Sequence, residues 1–214
     1  MDLHIHSYYS KDSLLSPKLI LKLAKKYGLN IIAVTDHNTI KGGLVTRELN
    51  KNNELFVIVG AEIKTDVGDI IGLFLEKEIK SRTWQNVLEE IHEQGGITVL
   101  AHPFKSHKLT KELIKRIDII EGLNGRLHEK FNKSAQKLAK EFNKPTIAGS
   151  DAHLPMGFGR VINIIKCDLN KNSIKMALLE NKVIMVQNAQ AKFSDRYLSL
   201  CIKGFRIFIP GLDK

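Results

Sequence analysis

Short runs of β-branched and aliphatic residues alternate along this chain with amphipathic stretches of helical period, which is the signature of successive βα units. Leu3 and Ile5 alternate with His4 and His6 in a first short strand. Pro17 opens a helical segment from Lys18 to Tyr27, with Leu19, Ile20 and Leu21 apolar, and Gly28 closes it. Ile31 to Val34 predicts a strand ending at Thr35, Asp36 and His37. Gly42-Gly43 reads as turn material. Leu55 to Val59 predicts a third strand running through Gly60 to Glu62, and Asp69 to Leu75 a further extended run.

The second half repeats the alternation. Trp84 to Gln94 predicts a helix stopped by Gly95-Gly96, and Ile97 to Leu100 a strand finishing at Ala101, His102 and Pro103. Lys111 to Arg116 is a short helix, and Ile117 to Ile120 a strand leading into Glu121, Gly122 and Asn124. Lys130 to Phe142 is helical, and Thr146 to Ala148 begins a strand reaching Ser150, Asp151 and His153. A strand (Val161 to Ile165), a helix (Ser173 to Glu180) and a strand (Val183 to Val186) follow. Residues 1–190 read as one domain, and residues 191–214 as a short C-terminal segment docked on it. In that segment Lys203 and Arg206 interrupt the apolar residues from Tyr197 to Ile209.

Composition narrows the class. A length of 214 residues, 43% hydrophobic and 26% charged, suits one globular domain with a sizeable core. No uncharged apolar run reaches the ~18 residues of a membrane span. The start MDLHIHS lacks the basic and apolar stretches of a signal peptide. Cys167 and Cys201 are too few for a disulfide scaffold or a four-cysteine zinc site. These features predict a reduced, soluble, cytoplasmic domain. The net charge of +10 admits nucleic acid, anionic lipid or an acidic substrate as partner. The lysines are scattered, however, and groups such as Lys22, Lys25 and Lys26 read as solvated helix faces.

The eight histidines say more, because five of them fall at strand ends. In a barrel of βα units the C-terminal ends of parallel strands converge on one face, where active sites are built. His4 and His6, two apart on an extended segment, point to the same side. Asp36-His37, Glu62, His102, Glu121 and Asp151-Ala152-His153 close later strands. Six strand ends delivering imidazole or carboxylate without thiolate suit zinc, manganese or iron, and in numbers that imply two or three ions. His92, His107 and His128 fall outside the pattern and read as structural or surface residues. There is no serine nucleophile elbow and no GxxxxGK[ST] phosphate loop.

The stretches that carry these residues are DLHIHSYYSKDSLLSP, IIAVTDHNT, GAEI, VLAHPF, IIEGLNGR and AGSDAH, in that order over residues 1–165. In this the chain resembles the polymerase-and-histidinol-phosphatase (PHP) superfamily, and within it the short stand-alone metal-dependent phosphoesterases. The resemblance implies a distorted TIM-like (β/α)7 barrel with a short C-terminal extension. It implies a first ion on His4, His6, Glu62 and Asp151, and a second shared by Glu62 with His102 and Glu121. A third would lie on Asp12, His37 and His153, with Asp36 behind the ligands as an orienting group. Many relatives place a histidine in the strand after the GAEI glutamate; this chain has Asp69, which is left out of the ligand set.

The expected activity is hydrolysis of a phosphate ester of a small metabolite or nucleotide. A metal-bridging water loses its proton near neutral pH and attacks in line, while cations neutralise the equatorial oxygens. Arg126 and Arg160 are the candidate phosphate clamp, with Lys105 a weaker third, and His153 or His37 a candidate proton donor. The alternatives are a 3′-end phosphodiesterase or exonuclease on nucleic acid, an amide hydrolase, and a non-catalytic metal-binding module. The nucleic-acid reading is disfavoured by 7% aromatic residues and the lack of a basic stripe.

Overall fold

The computed structural model describes residues 1–51 and 55–188. Seven strands form one sheet in chain order: β1 (Asp2–Ile5), β2 (Ile31–His37), β3 (Phe56–Lys64), β4 (Asp69–Leu73), β5 (Ile97–Leu100), β6 (Ile119–Asn124) and β7 (Thr146–Gly149). The sheet curls until its edges meet. Ile5 bridges in parallel to Ala152 just past β7, His6 N donates to Ala152 O at 3.0 Å, and Asp151 N donates to His4 O at 2.8 Å. Five helices accompany the strands: α1 (Pro17–Lys26), α2 (Lys41–Leu49), α3 (Trp84–Glu93), α4 (Lys111–Arg116) and α5 (Glu129–Glu141). After β7, β8 (Val161–Ile164) and β9 (Ile184–Gln187) pair antiparallel as a separate sheet, with α6 (Lys171–Leu179) between them in sequence. This is the distorted seven-stranded α/β barrel that the family resemblance implies. Among the described residues no helix is long and apolar enough to cross a membrane. The predicted docking segment, residues 191–214, lies outside them.

Local chemistry sets the helix starts. Ser16 accepts from Leu19 N ahead of Pro17 in α1, Thr110 from Leu113 N in α4, and Asn170 from Ser173 N in α6. At α3 the Thr83 side chain does not cap, and Asp66 Oδ1 accepts from Trp84 N at 2.9 Å instead.

The seven barrel strands are buried on both faces, so each has two sets of alternating residues. One set forms the barrel floor: Leu3, Ala33, Ile58, Ile71, Leu73, Val99, Ile119 and Ile147 share a cluster, which Ile174 and Leu178 of α6 join. Stepping by two along a strand keeps a side chain on the same face. Ile58 leads through Gly60 to Glu62, Ala33 through Thr35 to His37, and Ile119 directly to Glu121. The apolar floor thus continues into a polar rim, and that rim is the candidate site.

Two elements differ from the sequence reading. The first is α2, where Gly42-Gly43 lies inside a helix rather than in a turn. Two glycines depress helix propensity and Ile40 offers no side-chain cap, so nothing local announces the helix. A Cβ on Gly42 would overlap Asp36 Oδ2 and Ser7 Oγ, which explains the residue by close approach. The second is β4, which runs antiparallel to both β3 and β5. Its first residue, Asp69, is therefore level with the end of β3, opposite Lys64.

Gly42→Ala offers a test by sign. An alanine in a helix interior ordinarily stabilises by about 0.5–1 kcal/mol. Here overpacking should reverse that and destabilise by about 1–3 kcal/mol, read by urea unfolding. A more stable variant would show that Gly42 is not there for space.

Candidate metal centre

His4 and His6 leave β1 with both Nε2 atoms directed at one point, 3.0 Å apart. Glu62 Oε2 lies 3.5 Å from His4 Nε2 and 3.3 Å from His6 Nε2. Asp151 Oδ1 lies 3.8 and 3.5 Å from the same two nitrogens. All four side chains are buried. A tetrahedron of donors about 2.1 Å from a central ion has edges of about 3.4 Å, so this set has the span of one four-coordinate divalent site.

The nitrogens are prepared for that role. Glu121 Oε1 sits 2.8 Å from His4 Nδ1, and Ser10 Oγ 3.2 Å from His6 Nδ1. Each partner accepts the Nδ1 proton, leaving the Nε2 lone pair toward the shared point. Ser10 Oγ in turn donates to Asp36 Oδ1 at 2.7 Å and accepts from His37 N at 3.0 Å. Asp36 also accepts from Ser7 N and Ser7 Oγ. Asp36 therefore acts on His6 and on the His37 backbone through Ser10.

A second grouping lies beside the first. Asp12 Oδ2 is 3.5 Å from His37 Nε2, and Asp12 Oδ1 is 3.5 Å from His153 Nε2. His153 Nδ1 lies 2.9 Å from Asp151 O. The His6, His37 and His153 rings pack together, with centroids 4.4 Å apart for His6–His37 and 4.1 Å for His6–His153.

The third grouping departs from expectation. Glu62 Oε1 lies 2.7 Å from His102 Nε2, and Asp69 joins them, one donor atom from each falling within 4.8 Å of the others. Glu121, expected on the second ion, turns its carboxylate to His4 Nδ1 and takes bonds from His102 N (2.7 Å) and Asn124 Nδ2 (3.0 Å). Its two oxygens are thus engaged in orienting His4 and the His102 backbone. Asp69 and Asn124 carry no local signal of these places. Asp69 opens its strand instead of ending it, and only the reversed direction of β4 brings it to the rim. The backbone is strained at two donors: His102 and Asp151 have φ of 31° and 52°.

Of the candidate cations, Arg126 reaches the cluster. Its Nη1 lies 3.4 Å from Asp151 Oδ1 and 3.0 Å from His153 Nδ1. Arg160 is buried just ahead of β8, its carbonyl accepting from Asn188 N, and Lys105 is exposed. His92 bonds Asp118 on the surface, and His128 caps α5. His107 is mostly buried, with Nε2 3.0 Å from Asp69 O.

Electrostatics fit a cation site. Burial disfavours charge on His4, but the carboxylates of Glu121, Asp151 and Glu62 outweigh it and raise its pKa well above the ordinary value. His37 is raised to about 10, Glu62 and Asp12 overcoming the cost of burial. Burial and the neighbouring His6 push His153 down to about 4. Burial would raise Glu62 and Asp151, yet the imidazoles around Glu62, and Arg126 with His4 beside Asp151, hold both well below the usual carboxylate range. The donors, their spacing and their proton partners fit divalent ions. Asp12 Oδ1, buried without a hydrogen-bond partner among the described residues, points the same way.

Residues 2–150 match the PHP domain family and residues 129–183 the PHP-associated family. The chain belongs to the PHP family. It is 34% identical over 165 residues to one uncharacterized protein of Methanocaldococcus jannaschii, covering 72% of this chain and 65% of that one. A second uncharacterized protein of the same organism is 45% identical over 114 residues, covering 48% and 67%. The chain thus spans about two thirds of the length of these curated relatives. Among solved structures, a two-domain protein from Bacteroides vulgatus containing a predicted PHP-like metal-dependent phosphoesterase superposes with TM-score 0.75 at 21% identity. That match covers 87% of this chain and 64% of that one.

The proton inventory gives a pH prediction. His37 has a folded pKa of about 10, above its unfolded value, and His4 is raised likewise, so their protonation stabilises the metal-free fold. That contribution is complete below the unfolded pKa of about 6.5 and is lost as pH rises toward about 10. Melting of the chelated protein should therefore fall steadily over that window. The manganese-loaded protein, whose imidazoles carry no proton on Nε2, should melt independently of pH there. Parallel slopes for the two forms would contradict the assignment.

Proposed function

We propose that this protein is a metal-dependent phosphoesterase that hydrolyses a phosphate ester of a small metabolite or nucleotide. The observation that carries the reading is the convergence of His4, His6, Glu62 and Asp151 on one ion-sized space, with Arg126 at its edge. These four would hold one divalent ion, and Asp12, His37 and His153 another, of the zinc, manganese or iron class. Bound there, such ions supply Lewis acidity and a water whose pKa is brought near neutrality.

The chain's own residues do the remaining work. Glu62 Oε2 faces His4, His6 and the Nδ1 side of His37, and would be a carboxylate donor to the ion held by His4 and His6. Arg126 presents a fixed guanidinium beside Asp151 and His153, suited to receive a phosphoryl oxygen whose charge grows in the transition state. Arg160 is a weaker candidate for the same task. His153, neutral at pH 7, is suited to ligation and not to protonating a leaving group. Glu121 and Ser10 hold the imidazoles in the tautomer that ligation needs.

Purified protein loaded with Mn2+ or Zn2+ should release inorganic phosphate from some member of a panel of sugar phosphates, nucleotides and p-nitrophenyl phosphate. His4→Ala, Glu62→Ala and Asp151→Ala should each lower kcat/KM by more than about a hundredfold. Arg126→Ala should cost about 10²–10³-fold with the ions retained. A metal-loaded protein inert on the whole panel overturns the reading; trimming of single-stranded nucleic acid alone would replace the small substrate with a polymer.

A further inference from the structure

The three donor groups differ in chemistry. His4, His6, Glu62 and Asp151 supply two imidazoles and two carboxylates, and Asp12, His37 and His153 two imidazoles and one carboxylate. Glu62, Asp69 and His102 supply one imidazole and two carboxylates. We propose that Asp69 is the donor that makes this third group favour zinc over manganese less strongly than the histidine-rich groups do, and that His107 is the positioning residue that fixes Asp69. The inference rests on the metal-dependent reading above.

Three observations carry it. Asp69 shares the inner face of β4 with Ile71 and Leu73, residues of the barrel floor, and stands at the rim opposite Lys64. It is therefore directed by the strand toward Glu62 and His102. His102 is 1% exposed, and its Nε2 lies 2.7 Å from Glu62 Oε1, so both donors face the place that Asp69 reaches. Finally, the loop after β5 is clipped onto the β3–β4 hairpin. Lys108 N donates to Val67 O at 2.8 Å and His107 Nε2 donates to Asp69 O at 3.0 Å. Thr65 N and Oγ1 close the hairpin on Gly68 O.

Gly68 makes the clip possible. Its φ of 132° is open to glycine, and a Cβ there would overlap the His107 ring. His107 also lies edge-on to His102, with centroids 5.9 Å apart. One imidazole thus anchors the backbone of one donor while packing on another. Oxygen-rich sets suit manganese and magnesium, whereas added imidazole favours zinc. An aspartate at this place therefore shifts the metal preference of the group to which it belongs.

The test titrates chelated full-length protein with MnCl2 and with ZnCl2, reading stoichiometry by elemental analysis and affinity by calorimetry. Asp69→Asn should lose one manganese, or bind it at least about tenfold more weakly, while the remaining ions are unchanged. Asp69→His should keep the ion and raise its zinc-to-manganese preference about tenfold. His107→Ala should weaken the same ion by about 10–100-fold, and His107→Gln, whose amide can still donate to Asp69 O, should recover most of it. Unchanged manganese stoichiometry and affinity in Asp69→Asn overturns the proposal. If that variant does not fold, unchanged metal preference in Asp69→His does so. An Asp69-dependent ion in a protein that cleaves no ester leaves this inference standing and overturns the function. Ester hydrolysis with intact manganese binding in the Asp69 variants does the reverse.

Discussion

A carboxylate that is 1% exposed must be answered by positive charge, and Glu62 is answered from all sides. Its oxygens lie 3.5 Å from His4, 3.3 Å from His6, 3.0 Å from His37 and 2.7 Å from His102. Four imidazoles from the ends of three strands, β1, β2 and β5, surround one anion at the mouth of the barrel. Protons on the imidazoles can balance it, and so can divalent ions. The rest of the architecture serves this one constraint, by bringing β1, β2, β3 and β5 to the same height and by walling the cluster from water.

The second ring of residues makes the arrangement specific. Glu121 spans His4 and His102, Ser10 links His6, His37 and Asp36, and Asn124 reaches both Glu121 and Asp151. These bonds fix which nitrogen of each ring is free, and thereby where a cation can sit. Gly42 belongs to the same logic, since α2 must pass close enough to Asp36 to leave no space for a side chain. The positive φ at His102 and Asp151 stores strain that the surrounding bonds hold in place.

Much of this was legible beforehand. The βα units follow from the alternation of apolar runs and amphipathic helices, their closure into a barrel from the family resemblance, and the parallel strands deliver His4, His6, His37, Glu62, His102 and Asp151 at their ends. What escaped was whatever depended on direction or on distant contacts. Asp69 begins a strand, and its approach to the rim requires β4 to run backwards. Glu121 looks like any other strand-end donor, and only its bonds to His4 and His102 set it behind them. The α2 helix carries glycines for reasons that lie in Asp36, not in its own turn-by-turn propensity. His107 is ordinary in sequence and acquires meaning from Gly68 and Asp69.

On this reading the rim of the barrel is a metal site built on Glu62. Crystals grown with MnCl2 and measured at the manganese absorption edge test it directly. An anomalous peak is expected within bonding distance of His4 Nε2, His6 Nε2, Glu62 and Asp151, with further peaks sharing Glu62 or lying on Asp12, His37 and His153. Anomalous density confined to the protein surface, with the four donors bonded only to one another, would contradict it.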